Sequence, residues 1–296
     1  MLSVIIPSYH DHLLQPTIDS LLENSEGVIE IIPVLDGYLP EVPLKKVFQV
    51  KPVYLKENRG MRGAMNAGLC ASNGDFIMKS DSHCMFAPGY DVELTKSCAD
   101  NWLMIPRRYS LDDDNWKRND ARPIYDYHYF RFPSDSRYGH SLSVVPCSHR
   151  SSRRKDPKYN IDDTMTFQGS CWFANKRYFM DHVGFLDDRV ETYGTFAGDQ
   201  PEIGLKYWLN GGETKVNKNT WYAHLNKAKR HYEAGVYGKQ FKIHKNTLAG
   251  HTWAAKHWMN NEEPGMMHTL DWLIEKFWPI PGWEDNWKEI WKSYEL

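Results

Sequence analysis

Nowhere in the 296 residues does an apolar run approach the ~20 positions that a bilayer-crossing helix needs. The opening LSVIIP is too short for a secretion signal and lacks its basic flank, so a first strand in a soluble, cytoplasmic protein is expected. Neither sign of charge prevails: 36 Lys and Arg face 38 Asp and Glu, for a formal charge of −2. No global field therefore invites nucleic acid or an anionic membrane, and such a partner would have to be met by a local patch. Cysteines are few and scattered. Cys70, Cys84, Cys98, Cys147 and Cys171 form no C-x-x-C pair, which argues against a zinc or dithiol motif and for reduced, mostly buried thiols. Internal repeats and low-complexity linkers are absent too. What the chain does have is apolar mass, 41% hydrophobic and 14% aromatic, enough for a substantial core in one large domain or two modest ones.

Residues 2–6 are apolar and β-prone, and after PSYH the positions Leu14, Ile18, Leu21 and Leu22 recur at helical spacing. VIEIIPVLD and KPVYLK read as further strands, RGAMNAGLCAS as a helix, and GDFIM as a fourth strand leading to Asp81. Strands alternating with helices imply a parallel sheet covered on both faces. Ligands of such sheets sit beyond the carboxyl ends of the strands, where PSYH, DGY and SDSH all fall. A helix over GYDVELTKSCAD and a strand at NWLMIP complete a first half at residues 1–106. Residues 107–165 are polar, tyrosine-rich and without clear periodicity, which predicts a long functional loop, a lid or a partly disordered excursion. Order resumes with a strand in MTFQGSCWFAN, a helix around KRYFMDHVG and a helix from Asp199 to Asn210, closing a second half at 107–226. The tail, 227–296, reads as helical and holds seven of the 12 tryptophans.

SDSH, residues 80–83, follows the fourth strand. At a strand's end residues i and i+2 point to one side, so Asp81 and His83 can approach one divalent cation while Ser82 turns away. One carboxylate and one imidazole at an open loop suit a Mn2+-like ion that keeps positions free for the oxygens of a diphosphate. Asp81 as a turn cap beside a surface His83 is the commoner arrangement of these residues taken alone.

Taken in order, SVIIPSYH, VLDG and NRGMRGAMNAGLCASNGDFIMKSDSH resemble the nucleotide-sugar half of the GT-A glycosyltransferases of family 2 type. The D-x-H form is similar to that of the polypeptide N-acetylgalactosaminyltransferases. MTFQGSCWFANKRYFMDHVGFLD and FAGDQPEIGLKYWLNGG extend the likeness to their small-residue strand and W-G-G-E-N-x-E segment, so that it spans roughly residues 2–226. It implies an α/β GT-A fold, a mostly parallel central sheet flanked by helices, here with a helical C-terminal extension. It also implies a metal-dependent hexosyl- or N-acetylhexosaminyltransferase using a UDP-sugar and Mn2+, with Mg2+ as the alternative.

By the same resemblance Asp81, His83 and His224 hold the metal. Pro7, Ser8, Tyr9, Asp36, Arg59, Arg62, Asn66, Asp81 and Ser82 face the donor, and Gly169, Trp172, Gly198 and Gln200 face the acceptor. Asp199 is the candidate base. Several have a plainer account: His224 as a core histidine beside Trp221 and Tyr222, Tyr9 as helix packing, Arg59 and Arg62 as solvated cations. Asp199 also fits as N-cap of its helix, with Glu202 as capping-box partner and Pro201 in the first turn. The family's frequent Asp-Asp pair is Leu35-Asp36 here, which loosens the expectation of uracil. Close D-x-H relatives retain anomeric configuration, whereas Asp at 199 resembles the inverting base, and both outcomes stay open.

HRSSRRKDPK, 149–158, could meet a phosphorylated acceptor or nucleic acid, although a solvated loop is the frequent explanation of such a run. Tail tryptophans one turn apart, such as Trp287 and Trp291, fit helix packing better than sugar stacking. The expected reaction is sugar transfer to a hydroxyl acceptor: a saccharide first, then protein Ser or Thr, then a modified nucleic-acid base. A non-catalytic sugar- or donor-binding module is the alternative of another class. A phosphate-ester hydrolase lacks the second carboxylate cluster of a two-metal site.

Overall fold

A computed structural model describes residues 1–133, 140–146, 150–226 and 247–294. Strand β1 (Leu2–Ser8) is buried on both sides, and its alternation sorts its side chains. Val4 and Ile6 join one apolar cluster with Leu14, Ile18 and Leu21 of helix α1 (Leu14–Asn24), which lie three and four residues apart on one face. Ile5 joins the opposite cluster with Ala64, Met65 and Leu69 of α2 (Gly60–Ala71). α2 lies close to the strand because Gly68 has no Cβ where the Ile5 side chain sits.

β2 (Ile29–Asp36), β3 (Val53–Leu55) and β4 (Phe76–Ser80) align in parallel with β1 in the order β3-β2-β1-β4. The order therefore reverses between β1 and β4, which opens a crevice at their carboxyl ends. After β5 (Cys84–Phe86) and α3 (Tyr90–Ser97), β6 runs from Trp102 to Asp112, through residue 106 and six residues beyond NWLMIP. β11 (Cys171–Asn175) inserts antiparallel between β4 and β6, so the second half of the sheet is mixed.

The stretch 107–165 is not a structureless loop. β6 continues through it to Asp112. It also contains β7 (Lys117–Asn119), β8 (His128–Phe130), β9 (Val144–Pro146) and β10 (Ile161–Asp163), with short 3-10 turns at Ser151–Arg154 and Pro157–Tyr159. Strands of three residues are too short to show a period of two, which is why the pattern gave no signal.

After α4 (Lys176–His182) and α5 (Asp199–Leu209), β12 (Glu213–His224) lies parallel to β6 and shifts register between Asn217 and Trp221. That irregularity carries the end of β12 onto β5, with His224 opposite Cys84. In the tail α6 (Thr247–Met259), α7 (Leu270–Phe277) and α8 (Trp287–Lys292) share one cluster with Phe130, Leu142, Met165, Leu205 and Trp208. Residues 227–246 of the expected helical tail lie outside the described residues, as does Cys147. Cys84 and Cys171 are buried, Cys98 half-buried and Cys70 exposed. No helix among the described residues is long and apolar enough to cross a membrane.

Candidate active site

The backbone brings the candidate ligands together. Asp81 N donates to Ser170 O across the end of β4, and Leu225 N donates to His83 O beside the paired ends of β5 and β12. Asp81, His83 and His224 consequently offer ligand atoms that lie within 4.8 Å of one another. His224 Nε2 is 3.1 Å from Asp81 Oδ2, and His83 Nε2 is 3.8 Å from the same oxygen. The two imidazoles are buried, whereas Asp81 is 27% exposed and opens the cluster to the crevice. One carboxylate oxygen and two imidazole nitrogens, converging from one open side, suit a small divalent cation with free positions.

Lys79 underlies this group. Two residues before Asp81 on the same side of β4, its ammonium donates to both Asp81 Oδ1 and the Gly169 carbonyl. Burial opposes ionisation of Asp81, but Lys79 and the hydrogen bond from His224 outweigh it and hold the carboxyl well below its usual range. Burial pushes His224 down to about 3, although its bond to Asp81 favours the charged form. Across the site, Asp199 is pushed up by burial and by Asp81, against the pull of Lys79 and Arg62. Gly169 is small for a reason: a Cβ there would lie 2.5 Å from Asp199 Oδ2 and 2.8 Å from Gln200 Nε2.

The capping account of Asp199 does not hold. Gly198, at φ +66°, is the N-cap of α5, Asp199 is its first residue, and no side chain caps the end. Glu202 turns away to the buried guanidinium of Arg62 and to Lys206 Nζ at 3.0 Å.

Ser8 Oγ meets Tyr38 Oη at 2.7 Å, and the Tyr9 ring stands edge-on to His10 and Tyr38, at centroid distances of 4.5 and 6.0 Å. Pro7 pairs with Val34 just inside the crevice. Asp36 accepts from Arg59 N at 2.7 Å and from Asn58 Nδ2 at 3.0 Å, which ties β2 to the start of α2. Burial raises its carboxyl to about 6 against these bonds. Arg59 reaches Asp188 at 2.9 Å and remains largely exposed.

Four expected site residues point elsewhere, and the first, Ser82, is buried with its hydroxyl donating to Asp11 Oδ2 at 2.8 Å. Arg62 is neither a solvated cation nor open to a phosphate: it is fully buried, bonded to Glu202 and to the carbonyls of Asp187 and Ala197, with its guanidinium 4.2 Å from the centroid of the Tyr193 ring. Asn66 clasps both backbone groups of Leu186. Trp172 is a core residue stacked on Phe179 at 5.1 Å. In the basic run, Arg150 donates to Asp163 O at 2.8 Å, Arg153 pairs with Asp162 at 3.3 Å, and Arg154 faces Asp126 at 3.6 Å, so these cations have partners within the chain. His149 lies outside the described residues.

The motif reading missed Asp11, Lys79, Tyr38 and Arg108. Lys79 carried a signal, a lysine interrupting an apolar strand two residues before Asp81. Asp11 had none, because its partner His83 lies 72 residues away.

Residues 3–160, just over half of the chain, match the sequence profile of Glycosyl transferase family 2. The chain is similar to human polypeptide N-acetylgalactosaminyltransferase 18, at 22% identity over 78% of this chain and 37% of that protein. It is also similar to the uncharacterized glycosyltransferase YwdF of Bacillus subtilis, at 23% identity over 65% of this chain and 64% of the other. It thus spans less than two thirds of the length of either relative. Among solved structures it resembles GalNAc-T7 with UDP, GalNAc and Mn2+, with a TM-score of 0.58 at 16% identity, over 77% of this chain and 44% of that one. The architecture is the GT-A α/β fold expected from the motifs, and the chain belongs to glycosyl transferase family 2.

Proposed function

We propose that the protein transfers a sugar from a nucleotide-diphosphate donor, a UDP-sugar, to a hydroxyl acceptor with the help of a divalent cation. The observation that carries this reading is the convergence of Asp81, His83 and His224 at the strand ends, with Asp199 facing them across Gly169. The resemblance to an enzyme solved with UDP and Mn2+ supports the same donor and makes Mn2+ the first choice over Mg2+. A cation held by the three ligands would supply Lewis-acid stabilisation of the departing diphosphate.

The chain's own residues do the rest. Tyr9 and Tyr38 form the aromatic rim against which the base of the nucleotide lies, and Ser8 fixes Tyr38 by a hydrogen bond. Lys79 holds Asp81 in place and contributes a fixed positive charge beneath the site. Asp199 takes the proton of the acceptor hydroxyl, a role helped by the burial that makes it more basic than an exposed aspartate. Gly169 and Gln200 border the space the acceptor enters. A saccharide acceptor is preferred.

A thermal-shift panel of UDP-, GDP- and CDP-sugars, each with Mn2+ or chelator, tests the donor and the metal together, because a ligand of the native state raises Tm by mass action. The expected result is a shift with a UDP-sugar that needs Mn2+ and is lost in Asp81→Ala. In Asp199→Asn the shift should persist while transfer falls about 100-fold or more. A folded protein that responds to no donor would sink the proposal. Release of free phosphate without transferred sugar would favour a hydrolase instead.

A further inference from the structure

The loop that leaves β1 kinks sharply. His10 holds φ +49°, in the left-handed region, with its ring set against Tyr38 at 4.7 Å. The next side chain, Asp11, lies inside the protein and is 1% exposed. Three donors converge on its carboxylate. Leu13 N reaches Oδ1 at 3.0 Å, Ser82 Oγ reaches Oδ2 at 2.8 Å, and His83 Nδ1 stands 2.8 Å from Oδ2. A carboxylate that already accepts two hydrogen bonds offers lone pairs to an imidazole, so the proton of His83 sits on Nδ1 and Nε2 keeps its lone pair. That nitrogen is the one 3.8 Å from Asp81 Oδ2. His224 is held differently, since its Nδ1 meets a donor, Arg108 Nη2, at 3.4 Å.

We infer that Asp11 is the positioning residue of the cation site, setting the tautomer and ring orientation of His83 so that Nε2 faces the ion. By the same bonds it couples the nucleotide-side loop of Tyr9 and His10 to the turn between β4 and β5. This rests on the metal reading above. Hydrogen-bonded partners of metal-ligating histidines typically contribute 10- to 100-fold in metal affinity.

The test uses the full chain and Mn2+ alone, with free ion read from its EPR signal, on the parent, Asp11→Asn and Asp19→Asn. Asp11→Asn keeps the size but adds an amide donor that can face Nδ1 and admit the other tautomer. Mn2+ should bind it 10- to 100-fold more weakly, whereas Asp19→Asn, which removes the same charge from α1 where Asp19 pairs with Lys45, should stay close to the parent. In the metal-free parent, nitrogen-15 NMR of the imidazoles should place the His83 proton on Nδ1, a readout that needs neither turnover nor a stable variant. Equal Mn2+ affinity in folded Asp11→Asn, or a parent His83 protonated on Nε2, overturns the inference. If the parent takes up no Mn2+, the metal reading falls, and the NMR result by itself decides whether Asp11 sets the tautomer of His83.

Discussion

Burial acts on single titratable groups in this protein with opposite consequences for stability. His128, in β8, is buried with Nε2 lacking a hydrogen-bond partner, and burial together with Arg108 and Arg154 lowers its pKa to about 3. Its unfolded value is about 6.5, so the folded state resists the proton. The stability it contributes is complete above pH 6.5 and is lost as pH falls towards 3, by about 1.4 kcal/mol per pH unit. Asp36, raised to about 6, acts in the opposite sense, because the folded form then takes up a proton before the unfolded chain does. His128→Leu should remove the first effect. Denaturant melts at pH 7, 6 and 5 should give a shallower loss of stability than in the parent, and identical slopes would show that His128 is not the group responsible. Asp81 and His83 were legible at this scale from their spacing just past β4, although they lie in the turn before β5, where Ser82 does not turn away from His83 but shares its partner Asp11. Asp11 was not, since its partner His83 is brought to it only on folding, whereas Lys79 showed as a lysine interrupting an apolar strand.

Between elements, the buried ion pair of Arg62 and Glu202 joins α2 to α5 and so fixes the helix that carries Asp199. Lys206 extends it to Glu263 at 3.5 Å, and Glu263 to His257 at 2.6 Å, on α6 and the turn that follows it. Removing one partner leaves a buried charge uncompensated, which costs about 3–5 kcal/mol. Arg62→Met should therefore lose about that much in urea titration. Arg62→Met with Glu202→Leu should lose clearly less than the sum of the two single variants, since residues in one network are not additive. Additive losses would mean that each side chain acts separately. The residue pattern showed α2 and α5, but the family resemblance assigned Arg62 to the donor and the helix-start pattern assigned Glu202 to a cap. Charged residues on helices normally face water, and nothing local marks a pair 140 residues apart as buried. The short strands within 107–165 escaped for the related reason that their pairing, not their pattern, defines them.

Over the whole molecule, one sheet runs through both halves of the chain, and the tail closes over its second half. The helical spacing of the tail tryptophans pointed to packing, and the side chains bear this out: Trp258, Trp283, Trp287 and Trp291 are buried, and only Trp278, at 39%, is an exposed large apolar residue among the seven. Trp283 Nε1 donates to Phe130 O at 2.7 Å, and its ring meets Phe132 edge-on at 5.1 Å, so the tail is bolted to the segment between β6 and β10. A tail held by that much shared core unfolds with the sheet it covers and not before it. Trp283→Ala should cost about 3–5 kcal/mol, whereas Trp278→Ala should stay within about 0.5 kcal/mol of the parent. In both, urea transitions followed by tryptophan fluorescence, which weights the tail, and by far-UV circular dichroism, which weights the whole fold, should coincide. A Trp283→Ala protein whose fluorescence transition moves while its dichroism transition stays would make the tail a separate unit docked on the rest of the fold. The rigidity of α5 would then have to come from the ion network alone.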